Sequence, residues 1–194
     1  MSTQTINPRA IYTANRTTGS TLDQWYTTPT TSGTTVTGAP ALDTLFANPF
    51  IISKTQTIDR MAVNITVLGS GSTPRLGIYT DDGNNYPGTL VVDAGTQDGG
   101  STGIKTYTTG LPITLEAGLY WLVYFTNGTA PTFRTFSVSS LINVLGYSNT
   151  LTSTSGNAGW TKALSFDVLP STFPAGGSIM NTNPVPAVFV RFNA

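Results

Sequence analysis

The chain has 194 residues, enough to bury a proper core in a single domain. Charged side chains are only 9% of it, with nine Lys/Arg balanced by nine Asp/Glu, so no basic patch is on offer for nucleic acid. Cysteine and histidine are both absent, which removes disulfides, thiolate metal sites and the side chain best suited to proton transfer near neutral pH.

The first ten residues, "MSTQTINPRA", lack the apolar core of a secretory signal, and no later run is long enough to span a bilayer. The expectation is a protein made in a cytoplasm, with no membrane partner. Residues 1–45 are rich in Thr, Gly and Pro and read as an extended polar arm, with Ile11, Tyr12, Leu22, Trp25 and Tyr26 as anchors. The alternative for this stretch is a first edge strand followed by a long loop.

Residues 46–194 read as a β-sandwich domain. "DRMAVNITVL" alternates, with Met61, Val63, Ile65 and Val67 on one face and Arg60, Asn64 and Thr66 on the other, the period of a half-buried strand. "RLGIYT" and "TLVVDAG" follow, joined by "YTDDGNNYPG" (79–88), whose acids, amides and glycines suit a hairpin turn, with Pro87 ending the pairing. Next come "IKTYTTGL", "GLYWLVYF" and "TFRTFSV", each bounded by Gly, Pro or Asn. "GLYWLVYF" is apolar on both faces and predicts a central strand covered on both sides, with Trp121 in the core. "SSLINVLGYSN" has room for one helical turn, "TSTSGNAGW" is a loop, and "PAVFVRF" is a last short strand. Short strands with turn signals and no helical stripe predict an all-β fold, an antiparallel, jelly-roll-like sandwich.

Little of the chain is equipped for chemistry. Counted from Asp81 as a calcium loop, "DDGNNYPG" puts Tyr86 at the sixth position and Val92 at the twelfth, where glycine and a bidentate acid are required. An irregular cation site on Asp81, Asp82 and Asn84 is the weak metal candidate. Asp59, Asp93, Asp98, Glu116 and Asp167 all have plain places at strand ends and turns, and no paired-carboxylate motif joins them. No G-x-S-x-G elbow is present, and "GSGST" at 69–73 lacks the Lys and helix of a phosphate loop. The N-x-T triplets at Asn15, Asn64 and Asn127 read as chance in a Thr-rich chain. Neither a catalytic residue nor a cofactor is expected. For partner contacts the candidates are flat aromatics outside the core: Trp25 and Tyr26 in the arm, Tyr86 in the 79–88 turn, and Trp160 at the tip of "GNAGWTK". Their competing reading is local packing.

Taken in order, "IDRMAVNITV", "RLGIYTDDGNNYPGTLVVDAGT", "TGIKTYTTGLPITLEAGLYWLVYFTNGTAPTFR", "LGYS" and "LPSTFP" resemble a family of β-rich virion proteins of tailed bacteriophages. The resemblance covers roughly residues 46–192, and its most specific element is "RLGIY…D…YPG…L…DAG" followed by "GLYWL". It implies a jelly-roll-like building block of the virion, commonly trimeric, with no catalytic residues to carry over. The expected role is a capsid decoration (cement) protein that bridges capsomers, with the major capsid protein or other virion proteins as partners. A tail or fibre component, or a module that binds a host glycan, is the alternative.

Overall fold

The computed structural model describes residues 24–147 and 157–193. Its strands are β1 (Trp25–Thr27), β2 (Val36–Gly38), β3 (Thr44–Ile52), β4 (Gln56–Val67) and β5 (Arg75–Asp81). They continue as β6 (Pro87–Thr96), β7 (Gly103–Tyr107), β8 (Ile113–Leu115), β9 (Gly118–Phe125) and β10 (Thr132–Phe136). After a 3-10 turn at Val138–Ser140 come β11 (Trp160–Ala163), β12 (Ser178–Ile179), β13 (Val185–Pro186) and β14 (Phe189–Phe192). Two antiparallel sheets pack face to face, giving the expected jelly-roll-like sandwich. One has eight strands, with the path β1-β14-β4-β10-β13 and with β2 on β10 and β7 and β8 on β4; the other has six, in the order β12-β11-β3-β9-β5-β6.

The alternation in β4 survives folding for three of its four residues. Met61, Val63 and Ile65 are buried, whereas Val67 is 58% exposed. The pairing with β10 shifts register here, from Ile65 opposite Phe133 to Val67 opposite Thr132, and an irregularity of this kind breaks the alternation of faces at the end of the strand. β3 carries Pro49 in mid-strand. Pairing with β11 ends at Ala47, so the missing N–H of Pro49 costs that edge no ladder bond.

Strand β9 lies between β3 and β5 and is apolar on both faces, as its sequence predicts. Leu122 and Tyr124 face the main core, with Phe46, Phe50, Met61, Ile65 and Val190 among their neighbours. Trp121, Val123 and Phe125 face the opposite way, into a second core with Leu45, Tyr79, Leu169 and Phe173. The six-stranded sheet is therefore buried on both sides. The segment that covers its outer face is the stretch around 164–173, which the sequence pattern does not mark as strand or helix.

Within the stretch read as an arm, β1 pairs with β14 and β2 with β10, the edge-strand alternative for residues 24–45. Strand β3 begins at Thr44, so the expected boundary after residue 45 falls inside it. Residues 1–23, with Ile11, Tyr12 and Leu22, lie outside the described residues. The turn of "SSLINVLGYSN" is a 3-10 turn at its very start, and part of "TSTSGNAGW" is outside the described residues.

Candidate functional site

Two places gather the aromatics singled out from the sequence. The first is the outer face of the six-stranded sheet. The stretch 79–88 is the hairpin connection between β5 and β6, and Pro87 opens β6 opposite Asp81 instead of ending the pairing. Proline is tolerated there as the first residue of a strand. Gly83 and Asn85 hold the turn with φ of 93° and 60°, the left-handed region these two residue types enter most readily.

Both carboxylates of the turn are occupied. Asp81 accepts the Gly83 N–H at 2.8 Å and the Trp121 indole N–H at 3.0 Å, and Asp82 accepts the Asn84 N–H at 2.7 Å. The three residues named as a weak cation site thus serve as turn acceptors and donor. Among the described residues no group of three or more Asp, Glu, His or Cys is placed to hold a metal ion.

Tyr86 and Trp160, distant in sequence, meet here. Trp160 sits at the start of β11 and not at a loop tip, paired with Ala47 on one side and Ile179 on the other. Its ring lies 4.8 Å from that of Tyr86, edge to face, and Tyr86 lies 5.6 Å from Phe173. The polar atoms are used internally. The Trp160 indole N–H donates to the Asn85 carbonyl at 2.7 Å. The Tyr86 hydroxyl donates to the Pro174 carbonyl at 2.7 Å and accepts the Gly177 N–H at 2.9 Å. Phe173 N–H reaches the Gly88 carbonyl and Leu90 N–H the Ser171 carbonyl, so residues 171–173 run along the β6 edge.

Asp93 fastens the other end of the same cover. It pairs with Arg75 and accepts the Gly95 and Leu169 N–H groups, while the Arg75 guanidinium sits 5.9 Å over the Phe166 ring. Tyr79 donates to the Pro170 carbonyl at 2.7 Å, and burial raises its hydroxyl pKa. This face is a fastened second core, with two half-buried aromatics closing its rim.

The second place is on the outer face of the eight-stranded sheet. Trp25 and Tyr26 are neighbours in β1 and point to opposite sides. Tyr26 packs inward, with its ring 4.8 Å from Phe192. Trp25 instead lines an open groove of about 520 Å³ with Thr34, Thr35, Ala62, Val63, Asn64, Ile104, Arg134 and Phe189. The groove exists because the sheet forks: β4 pairs with β14 over residues 58–62 and with β10 only from residue 65. Ala62, 3% exposed, is the small residue that gives the groove depth, and Ile104 on β7 stands 64% exposed at its margin. The apolar lining is interrupted by the Asn64 amide and the Arg134 guanidinium.

Arg134, Asn64, Phe189 and Ile104 are not recognisable as site residues in the sequence. The one signal available is that "TFRTF" sets a lone cation at an outward position between inward aromatics. Below the groove, at the β14 edge, Arg191 grips Asp59 through Nε at 2.9 Å and Nη2 at 2.5 Å, and Arg60 lies 3.9 Å from the same carboxylate. Hydrogen bonding from Arg191 holds the Asp59 carboxyl below its ordinary pKa, against the opposing effect of burial, with the charges of Arg191 and Arg60 adding to the lowering.

The remaining acids are spent in the same way. Asp43 accepts the Phe166 N–H, Asp98 the Gly100 N–H, Glu116 the Thr55 hydroxyl and Asp167 the Val168 N–H. Every Asp and Glu among the described residues therefore has a hydrogen-bond or ion-pair partner within the chain. Neither a family model nor a curated protein matches this chain.

Proposed function

We propose that this chain is a non-enzymatic structural protein of a phage virion, a capsid decoration protein that stabilises the shell by bridging capsomers. The motif order between residues 46 and 192 supports the virion setting. The physical features suit the role: a sandwich with cores on both sides of one sheet, few charges, and loops fastened to the strands by hydrogen bonds.

The observation that carries the reading is apolar surface left on the rim of the eight-stranded sheet. Val36 on β2 is 45% exposed, and Val67 and Leu68 at the end of β4 are 58% and 51% exposed. Exposed apolar side chains of this kind suit contact with another chain, and the chain carries few charges to oppose it. A homotrimer or a capsomer contact covers them, and many weak contacts of this sort act together on a particle.

Particle fractionation tests the role. The protein is expected on expanded capsids, as trimers by light scattering after release. Replacement of Leu68 by Asp is expected to lower both trimer content and capsid occupancy while leaving the melting temperature within about 2 °C, since an exposed side chain contributes little to the core. Recovery of the protein with tails alone overturns the decoration role.

A further inference from the structure

We propose that the groove on the outer face of the eight-stranded sheet binds a saccharide that carries a carboxylate. Arg134 pairs with the acid, Trp25 and Phe189 take the apolar faces of the sugar rings, and the Asn64 amide bonds to ring hydroxyls.

The volume, about 520 Å³, falls within the ~300–1,000 Å³ of small-ligand clefts, and the lining follows their pattern of apolar walls with a few convergent polar groups. Flat aromatic rings beside an amide and hydroxyls match the two-sided character of a sugar, whose C–H face is apolar and whose edge is polar. Nothing in the main core requires Trp25 on this side, since Tyr26 already anchors β1 from within.

Charge decides the ligand class. Among the described residues Arg134 is the single charged residue of the lining, and none of them there is an acid. Among the described residues its guanidinium is in no ion pair, in contrast to Arg75 and Arg191, which each hold an aspartate. A guanidinium stays protonated at any working pH and presents a planar fork that fits a carboxylate. A cation with no ion pair among the described residues, in a groove that Trp25 and Phe189 also line, therefore favours an acidic ligand over a neutral one. The chain's own N-terminal segment is a poor complement: residues 1–23 carry Arg9 and Arg16, with Asp23 as their one acid. This inference stands apart from the virion role, because it concerns the groove and not the Val67–Leu68 rim.

Calorimetric titration of the full chain with a glucuronate-containing tetrasaccharide and with sialyllactose, beside lactose and sodium acetate, tests it. At least one acidic saccharide is expected to bind roughly ten- to a hundredfold more tightly than lactose, the factor expected of a charged hydrogen-bonded pair, and acetate is not expected to compete. Arg134→Gln should lose that factor with no change in melting temperature, because the side chain is exposed. Trp25→Ala should lose binding, and Trp25→Phe should restore part of it, which separates stacking from loosening of β1. Four results overturn the proposal: no binding of either acidic saccharide at millimolar concentration, equal binding of lactose, displacement by acetate, or an Arg134→Gln variant that binds like the parent. A change of oligomeric mass in Trp25→Ala without any saccharide effect would make the groove a subunit interface and also refute it.

Discussion

Replacing Trp160 by Ala distinguishes a partner-binding aromatic from a structural one. The substitution removes the hydrogen bond to the Asn85 carbonyl at 2.7 Å and the edge-to-face contact with Tyr86 at 4.8 Å. A hydrogen bond of this kind is worth about 1 kcal/mol net, and an aromatic pair about 0.5–1.5 kcal/mol beyond its buried area. The half-buried ring adds a transfer contribution of about 1 kcal/mol at ~25 cal/mol per Å² of apolar surface. The expected loss is therefore about 3 kcal/mol, read from urea unfolding with an unchanged slope, and it lowers the melting temperature by roughly 6–12 °C for a domain of this size. A double-mutant cycle with Tyr86→Ala should return a coupling of about 0.5–1.5 kcal/mol, because the two rings touch. A stability loss below about 0.5 kcal/mol, or additive effects of the two substitutions, would refute the assignment of these residues to the second core.

Two further predictions concern the sheet and its loops. The folded-state pKa of Asp59 is lowered, so its contribution is fully present above the ordinary carboxylate pKa of about 4 and is lost as pH falls through the folded value. Asp59→Asn is expected to cost about 1–3 kcal/mol at pH 6, and that difference from the parent should shrink by pH 3; a constant or growing difference in acid refutes the pairing with Arg191. At Gly69 a Cβ would lie 2.1 Å from the Thr129 carbonyl oxygen and 2.7 Å from the Pro131 nitrogen. Gly69→Ala is therefore expected to destabilise by about 2 kcal/mol or more, whereas Gly33→Ala, with nothing within 4 Å of the new carbon, should stay within about 1 kcal/mol of the parent by thermal melting.

Local chemistry made much of the sandwich readable. The alternation from Met61 to Ile65 and the two apolar faces of "GLYWLVYF" depend only on the period-two geometry of a strand, and both are found in β4 and β9. The same rule misplaced Val67, because alternation assumes an unbroken ladder and the register with β10 shifts between Ile65 and Val67. The strands β1, β2, β8, β11, β12 and β13, each two to four residues long, are too short to show a period and are held by their neighbours in the sheet.

By itself the sequence determined the all-β class, the hairpin at 79–88, the buried Trp121 and the scarcity of charge, since each follows from residue type and spacing within a few positions. Tertiary structure alone decided which aromatics are free. It brought Trp160 against Tyr86 and spent both on closing a second core, sent Tyr26 inward and Trp25 outward from the same strand, and forked the sheet so that Arg134 overlooks a groove. The reason is that these outcomes depend on strand order and register, and neither turn chemistry nor periodicity encodes which distant strands become neighbours.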